Sequence, residues 1–162
     1  MSYEKPRAEI IPTNNEWRRA GRIVIDAPIS LIFDMIADPK MHAEFDGSGT
    51  VKRQLKGPSR LSKGATFGMA MRVRFPYTIT NTVEEFDEPT RIAWRHLGRH
   101  RWRYELEARD ESTTVVTETF DASTAIFPPA LKLINAYENN QKAILKSLVQ
   151  LKMLAEEKSR TH

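Results

Sequence analysis

Four side chains in this sequence could carry acid–base chemistry inside an apolar site: His96, Tyr104, Glu118 and Glu138. Each falls where an inward orientation is expected. His96 and Tyr104 share the phase of Trp94 and Trp102 in alternating segments, Glu118 shares that of Phe120, and Glu138 lies on a helical stripe. A carboxyl group desolvated by apolar neighbours has its pKa raised and can act as a general acid or base. An imidazole can do the same near neutral pH. Plainer roles compete with these. His96 could sit at a wet strand end, and Glu118 in an internal ion pair or at a rim. No carboxylate, His or Tyr set has the spacing of a known catalytic unit, so the catalytic residues stay open.

Other chemistries are excluded or unsupported. There is no cysteine, so disulfides, thiolate catalysis and Cys-based metal sites are ruled out. His96-Leu-Gly-Arg-His100 has the i, i+4 spacing that serves zinc on a helix, but here the pair straddles a Gly-containing connection and lacks a third ligand at diagnostic spacing. No metal site is expected. Gly47-Ser48-Gly49 is too short for a phosphate loop, and neither a G-x-S-x-G elbow nor a dinucleotide fingerprint occurs. No cofactor is expected.

The elements that would position these side chains are mostly strands. Residues 19–26 read as a strand with Ile23 and Ile25 on one face. Pro28 suits the first turn of a helix, which continues through Leu31, Ile32, Met35 and Ile36 and stops at Asp38-Pro39. Residues 39–45 form another helical turn. Strands separated by turns at Gly57-Pro58, Pro76, Glu88-Pro89, Leu97-Gly98-Arg99 and residues 110–113 then follow. A long amphipathic helix spans residues 129–157. Ile144, Leu145, Leu148, Leu151 and Ala155 make a clean apolar stripe in its distal half, whereas Asn135, Glu138 and Gln141 interrupt the proximal half beside Tyr137. Burying an unpaired polar group costs roughly 1–3 kcal/mol. The distal half is therefore expected to seal the sheet, and the proximal half to face a cavity.

Strand alternation supplies the expected cavity wall: Phe67, Met69, Met71, Phe75, Trp94, Trp102, Tyr104 and Phe120, met by Ile134, Tyr137, Glu138 and Gln141 from the helix. Two methionines on one strand suit an adaptable wall. Arg72, Arg74, Arg95, Arg101 and Arg103 run out of phase with this set and belong on the outer face. There Glu84, Glu105 and Glu107 are expected to pair with them across strands.

The 162 residues suit one domain with a proper core, and 40% hydrophobic with 28% charged residues is ordinary for a globular protein. The division expected is a tail or short pairing segment over 1–18, a ligand-binding domain over 19–157 and a tail over 158–162. A net charge of +4 with dispersed acids is not that of a dedicated nucleic-acid binder. No apolar run approaches the ~18 residues of a membrane span, and no leader is visible, so a cytoplasmic location is the default and no stable membrane insertion is expected.

The pattern resembles the START-like superfamily, in its polyketide cyclase/dehydrase-like branch. The residues that carry the resemblance are Ala27-Pro28, Phe33-Asp34, Asp38-Pro39, Gly64 with Phe67, Val83-Glu-Glu-Phe-Asp-Glu-Pro89, Arg91-Ile-Ala-Trp94, Trp102-Arg-Tyr-Glu-Leu106 and residues 113–121. Phe45-Asp46 stands where such proteins often have Trp, and Ser112 where the last hairpin usually has Gly. The resemblance implies an α+β helix-grip fold, with an antiparallel sheet of about seven strands around the C-terminal helix and two short helices after the first strand. It adds Phe33 to the candidate ligand-binding residues. It also implies a small apolar or amphipathic ligand of lipid, polyketide or aromatic type, bound by a monomer or homodimer. Two rivals remain: a cyclase, aromatase or dehydratase using an inward Glu, His or Tyr, and a surface interaction module like the coenzyme-Q-binding and ribosome-associated branch.

Overall fold

The computed structural model describes residues 4–162. Residues 1–3 of the expected tail lie outside them. The strands are β1 (Glu9–Ile11), β2 (Arg18–Ile25), β3 (Val51–Lys56), β4 (Thr66–Arg72), β5 (Pro76–Asp87), β6 (Arg91–Arg95), β7 (Arg101–Ala108) and β8 (Thr114–Asp121). They form one antiparallel sheet in the order β1-β2-β8-β7-β6-β5-β4-β3. Seven of them are those read from alternation. The eighth, β1, is the short pairing segment, joined to β2 through Glu9 opposite Arg22. Helix α1 (Ile29–Ala37), a 3-10 turn (Pro39–Met41) and α2 (His42–Phe45) fill the long connection between β2 and β3.

The C-terminal helix is not continuous. A single turn, α3 (Ala130–Leu133), is separated from α4 (Ala136–Arg160) by Asn135, whose φ of 54° is left-handed. Asn tolerates that region better than most residues. The break resets the helical phase, so the residues before and after it do not share one stripe. The distal stripe behaves as its pattern requires: Ile144, Leu148, Leu151 and Ala155 are fully buried against Ile23, Ile25, Val116 and the helix α1 residues Ile32 and Ile36.

Two glycines set how closely α4 lies on the rest. A Cβ at Gly21 on β2 would come within 2.8 Å of Ile144. A Cβ at Gly47, after α2, would come within 2.4 Å of the Ser147 backbone nitrogen, and the Gly47 N–H donates to Ser147 Oγ at 2.7 Å. Gly47→Ala should therefore destabilise the fold by about 1–3 kcal/mol, because the obstacle is helix backbone and cannot rotate away. Gly49→Ala, at an open position, meets no such contact. Urea unfolding of the two variants measures the difference.

On the outer face Arg95, Arg101 and Arg103 are paired, with the expected Glu84 but with Glu85 and Asp121 in place of Glu105 and Glu107, whereas Arg72 and Arg74 form no ion pair among the described residues. Arg101 meets Glu84 at 2.6 Å, Arg95 also pairs with Glu84, and Arg103 meets Glu85 at 2.8 Å and Asp121 at 3.6 Å. Glu105 and Glu107 form no ion pair among the described residues. The bulge in the β5–β6 ladder between Val83 and Glu85 makes the difference, since it turns both Glu84 and Glu85 towards the arginine rows. Among the described residues no helix is long and apolar enough to cross a membrane.

Candidate functional site

The sheet and α4 do not close on each other along their whole length. Between strands β3–β8 of the sheet, the 42–51 segment and the first three turns of α4 lies a cavity of about 760 Å³. That falls within the ~300–1,000 Å³ range of small-molecule sites. Its walls come from inward positions of successive strands: Met69 and Met71 on β4, Ile79 and Asn81 on β5, Trp94 on β6, Trp102 and Tyr104 on β7, and Glu118 and Phe120 on β8. His96 and His100 line it from the β6–β7 connection, and His42 and Phe45 from α2.

Glu118 is the deepest polar group. It is 3% exposed, and its Oε2 is buried without a hydrogen-bond partner. It stands directly opposite Tyr104 in the β7–β8 ladder. Burial pushes the carboxyl up to about 8, with the Tyr104 hydroxyl opposing that shift and the charge of Asp46 adding to it. Glu118 is thus neutral at pH 7 and can donate a hydrogen bond. Tyr104 is buried too, and its phenol is raised well above the usual range by desolvation and then by the neighbouring carboxyl.

Three imidazoles border the same space. His42 stacks on Trp94 with ring centres 4.8 Å apart, and one ring nitrogen lies 2.8 Å from the Ile36 carbonyl oxygen. Burial lowers it to about 4, so it is neutral and fixed as a donor to that carbonyl. His96 and His100 meet edge to face at 4.0 Å, and both are lowered by desolvation, His100 to about 4. The turn places the two imidazoles side by side, and His96 is a half-buried wall residue instead of a wet strand end. No group of three potential metal-ligating side chains occurs among the described residues.

The other expected site residues are placed as follows. Ile134 lines the cavity near its mouth and is 69% exposed. Phe67 is buried behind His42 and Trp94, as a supporting layer. Phe33 lies away from the cavity, edge-on to Phe86 at 5.3 Å in the core under α1. Phe75 is exposed on the β4–β5 connection, because β4 ends at Arg72 and the alternation does not reach it. Tyr137 packs on Trp17 and Phe120 and donates its hydroxyl to the Pro128 carbonyl at 2.9 Å. Glu138 is exposed and reaches Arg19 at 3.8 Å. Gln141 is buried, but it donates to the Ala20 carbonyl on β2 at 3.2 Å. Asn135 caps α4 in its left-handed conformation.

The polar break in α4 therefore serves β2 and solvent, not the cavity. The cavity face of the helix is Ala136, Asn139, Asn140, Ala143 and Ser147, with Lys142 and Lys146 at its edge. These small and amide side chains recur every three or four residues, and that spacing of small size was the readable signal. His42 was missed because α2 is too short to show a period; its signal was Phe45, three residues on, packed on the same face. Asn81 was legible as the polar member of the Ile79, Asn81, Val83 alternation. Gln141→Leu, which removes the bond to β2, should cost about 1 kcal/mol, and Asn139→Leu close to nothing, as denaturant titration of both variants would register.

Known proteins agree with this architecture. The chain is 39% identical over 109 residues to an uncharacterised protein of Mycobacterium tuberculosis, an alignment covering 67% of this chain and 49% of that one. A second strain's counterpart matches at 38% over the same length. The chain spans about half the length of the curated relatives it matches. Among solved structures, a protein of Mycobacterium smegmatis superposes with a TM-score of 0.67 at 16% identity, covering 97% of this chain and all of that one. A Nitrosomonas europaea protein gives 0.69 at 14%, covering 91% and 99%. A polyketide-cyclase-like protein of Corynebacterium glutamicum gives 0.60 at 20%, covering 93% and 98%. These share the helix-grip fold. Residues 17–156 match the family described as polyketide cyclase/dehydrase and lipid transport. With that match running from the start of β2 almost to the end of α4, the chain belongs to that family.

Proposed function

We propose that the protein binds a small, largely apolar molecule, of aromatic, polyketide or lipid type, that carries one hydrogen-bond acceptor. The observation that supports this reading is the pairing of an aromatic, methionine-lined cavity with a single deep polar end. Trp94, Trp102, Phe120, Met69 and Met71 offer surface for apolar burial, at about 25 cal/mol per Å² removed from water. The neutral Glu118 carboxyl lacks a partner for Oε2 and would donate to a carbonyl or hydroxyl oxygen placed beside it. The ligand would thus enter with its acceptor end foremost, be oriented by one bond to Glu118, and bury its apolar body against the aromatic and methionine walls.

A native mass spectrum of freshly purified protein tests this. The expected result is a non-covalent adduct of a small apolar compound, lost in Met71→Trp, where the larger side chain occupies the cavity. An adduct that persists in Met71→Trp would place binding elsewhere.

A second reading, an enzyme of cyclase or dehydratase type, is favoured by one feature: Glu118 and Tyr104 are adjacent, buried and coupled. An acid held neutral beside a phenol can pass a proton to a developing enolate or hydroxyl leaving group. On this reading Glu118→Gln should lower turnover of the bound compound on the order of 100-fold while leaving its binding within a few-fold. Unchanged turnover would leave binding alone.

A further inference from the structure

Three chain segments bound the mouth of the cavity: residues 71–77 at the β4–β5 connection, residues 96–100 between β6 and β7, and residues 123–134 leading into α3. Val73 and Tyr77 from the first, His96 and His100 from the second, and Leu131 and Ile134 from the third line the same opening. The second and third are tied together, since the Ile126 N–H donates to the Gly98 carbonyl at 3.2 Å and the Thr124 hydroxyl to that of Arg99 at 2.7 Å.

This rim carries most of the large apolar side chains that the fold leaves in water. Leu97 is 90% exposed, Leu133 89% and Phe75 72%, and Val73, Ile126, Phe127 and Ile134 are exposed beside them. Single exposed apolar residues are unremarkable, but a concentration around one opening marks an interaction site. Charge on the rim is one-sided. The three segments contain Arg72, Arg74, Arg99 and Lys132 and no Asp or Glu. Lys132 has an ion-pair partner in Glu16 at 3.5 Å, whereas the three arginines have none among the described residues. On the outer face, by contrast, Arg95, Arg101 and Arg103 are matched by Glu84 and Glu85. Charge pairing is thus satisfied on the sheet's back and left unsatisfied at the mouth.

We propose that the cavity mouth docks on an anionic membrane surface. Phe75, Leu97 and Leu133 enter the boundary between headgroups and acyl chains, and Arg72, Arg74 and Arg99 meet lipid phosphates. The apolar side chains sit at the tips of separate segments around a hole. That geometry suits a fluid surface, which moulds to protruding tips, better than a protein partner, which needs one contiguous complementary patch. A mouth pressed on the bilayer would also let an apolar ligand pass between lipid and cavity without crossing water. The association is peripheral, and it does not require that the cavity ligand be known.

Co-sedimentation with vesicles of phosphatidylcholine alone, and of phosphatidylcholine with phosphatidylglycerol, tests the proposal. The intact chain should partition onto the anionic vesicles and not the neutral ones, and high salt should weaken it. Arg72→Gln with Arg74→Gln should reduce partitioning on the order of tenfold or more. Phe75→Ser combined with Leu97→Ser and Leu133→Ser should do the same. None of these residues belongs to the core or lines the cavity, so far-ultraviolet circular dichroism and calorimetric binding of naphthol to the cavity should be unchanged. Absence of partitioning, or partitioning equal in the variants, would overturn the proposal. So would a dimer in lipid-free buffer that the triple substitution abolishes, which would assign the rim to a second copy of the chain. Loss of naphthol binding with vesicle binding intact would strike the proposed cavity function and not this one.

Discussion

Replacing Glu118 with Gln should remove a fall in stability that the native protein shows as pH rises from 6.5 to 8. In the unfolded chain this carboxyl ionises near 4.5, whereas in the folded protein burial holds it protonated up to about 8. Between those values the folded state binds one more proton than the unfolded state, so stability decreases with rising pH. The contribution is fully present below the unfolded value and gone above the folded one. Across the full window it amounts to roughly 5 kcal/mol. Three histidines oppose it at the acid end, His96 among them because desolvation lowers its pKa. His42 and His100, each lowered from 6.5 to about 4 by burial, are protonated in the unfolded chain first, so their stabilising effect grows as pH rises from about 4 through 6.5 to about 7.5. Only above about pH 7.5 are they neutral in both states, so that Glu118 acts alone. The native protein should therefore be most stable near pH 6.5 to 7 and lose about 1 kcal/mol by pH 8, whereas Glu118→Gln should lose none over that range. Asp46, from the connection after α2, and Tyr104, from β7, are the groups that face the carboxyl. Tyr104 does not ionise in this range. Urea unfolding at pH 6.5, 7.2 and 8 in both proteins measures the effect, and parallel profiles would show that Glu118 is already ionised in the folded state.

Leu148→Ala should lower stability by about 2–5 kcal/mol. The side chain is fully buried at the point where α4 crosses the sheet, and its Cδ1 would lie 3.2 Å from a Cβ at Gly21. The strand below has no side chain to swing into the gap, so the void should persist, and the cost should fall in the upper part of that range. Ala143→Gly, one turn away on the cavity side, should cost only about 1 kcal/mol, mainly as helix propensity, because it borders space that is already open. Denaturant midpoints at constant slope would measure both. Equal losses would mean that α4 packs uniformly and has no cavity half.

Much of the framework was legible because its signals are local. Alternation at Trp94, Trp102, Tyr104 and Phe120 placed those residues on the inner face, and the stripe Ile144, Leu148, Leu151 placed the seal. The proximal helix was misread for a physical reason. Polarity alone does not say which way a face points, since a buried amide such as Gln141 is satisfied by a strand carbonyl and an exposed carboxylate such as Glu138 by an arginine. Small size at Ala136, Ala143 and Ser147 was the better guide to where space remains. Phe75 failed because alternation was carried past the end of its strand. The encounter of His42 with Trp94 joins residues far apart in the chain, and no spacing rule announces it.

If the 760 Å³ space is a binding site and not loose packing, it should take up an apolar molecule. Calorimetric titration with naphthol, an aromatic probe with one hydroxyl, addresses it most directly when run at several temperatures. A saturable single-site isotherm with a negative heat-capacity change, the mark of apolar surface leaving water, is the expected result. Met71→Trp should abolish the isotherm and Glu118→Gln weaken it. No measurable heat at any temperature, or the same isotherm in native protein and Met71→Trp, would contradict uptake by the cavity.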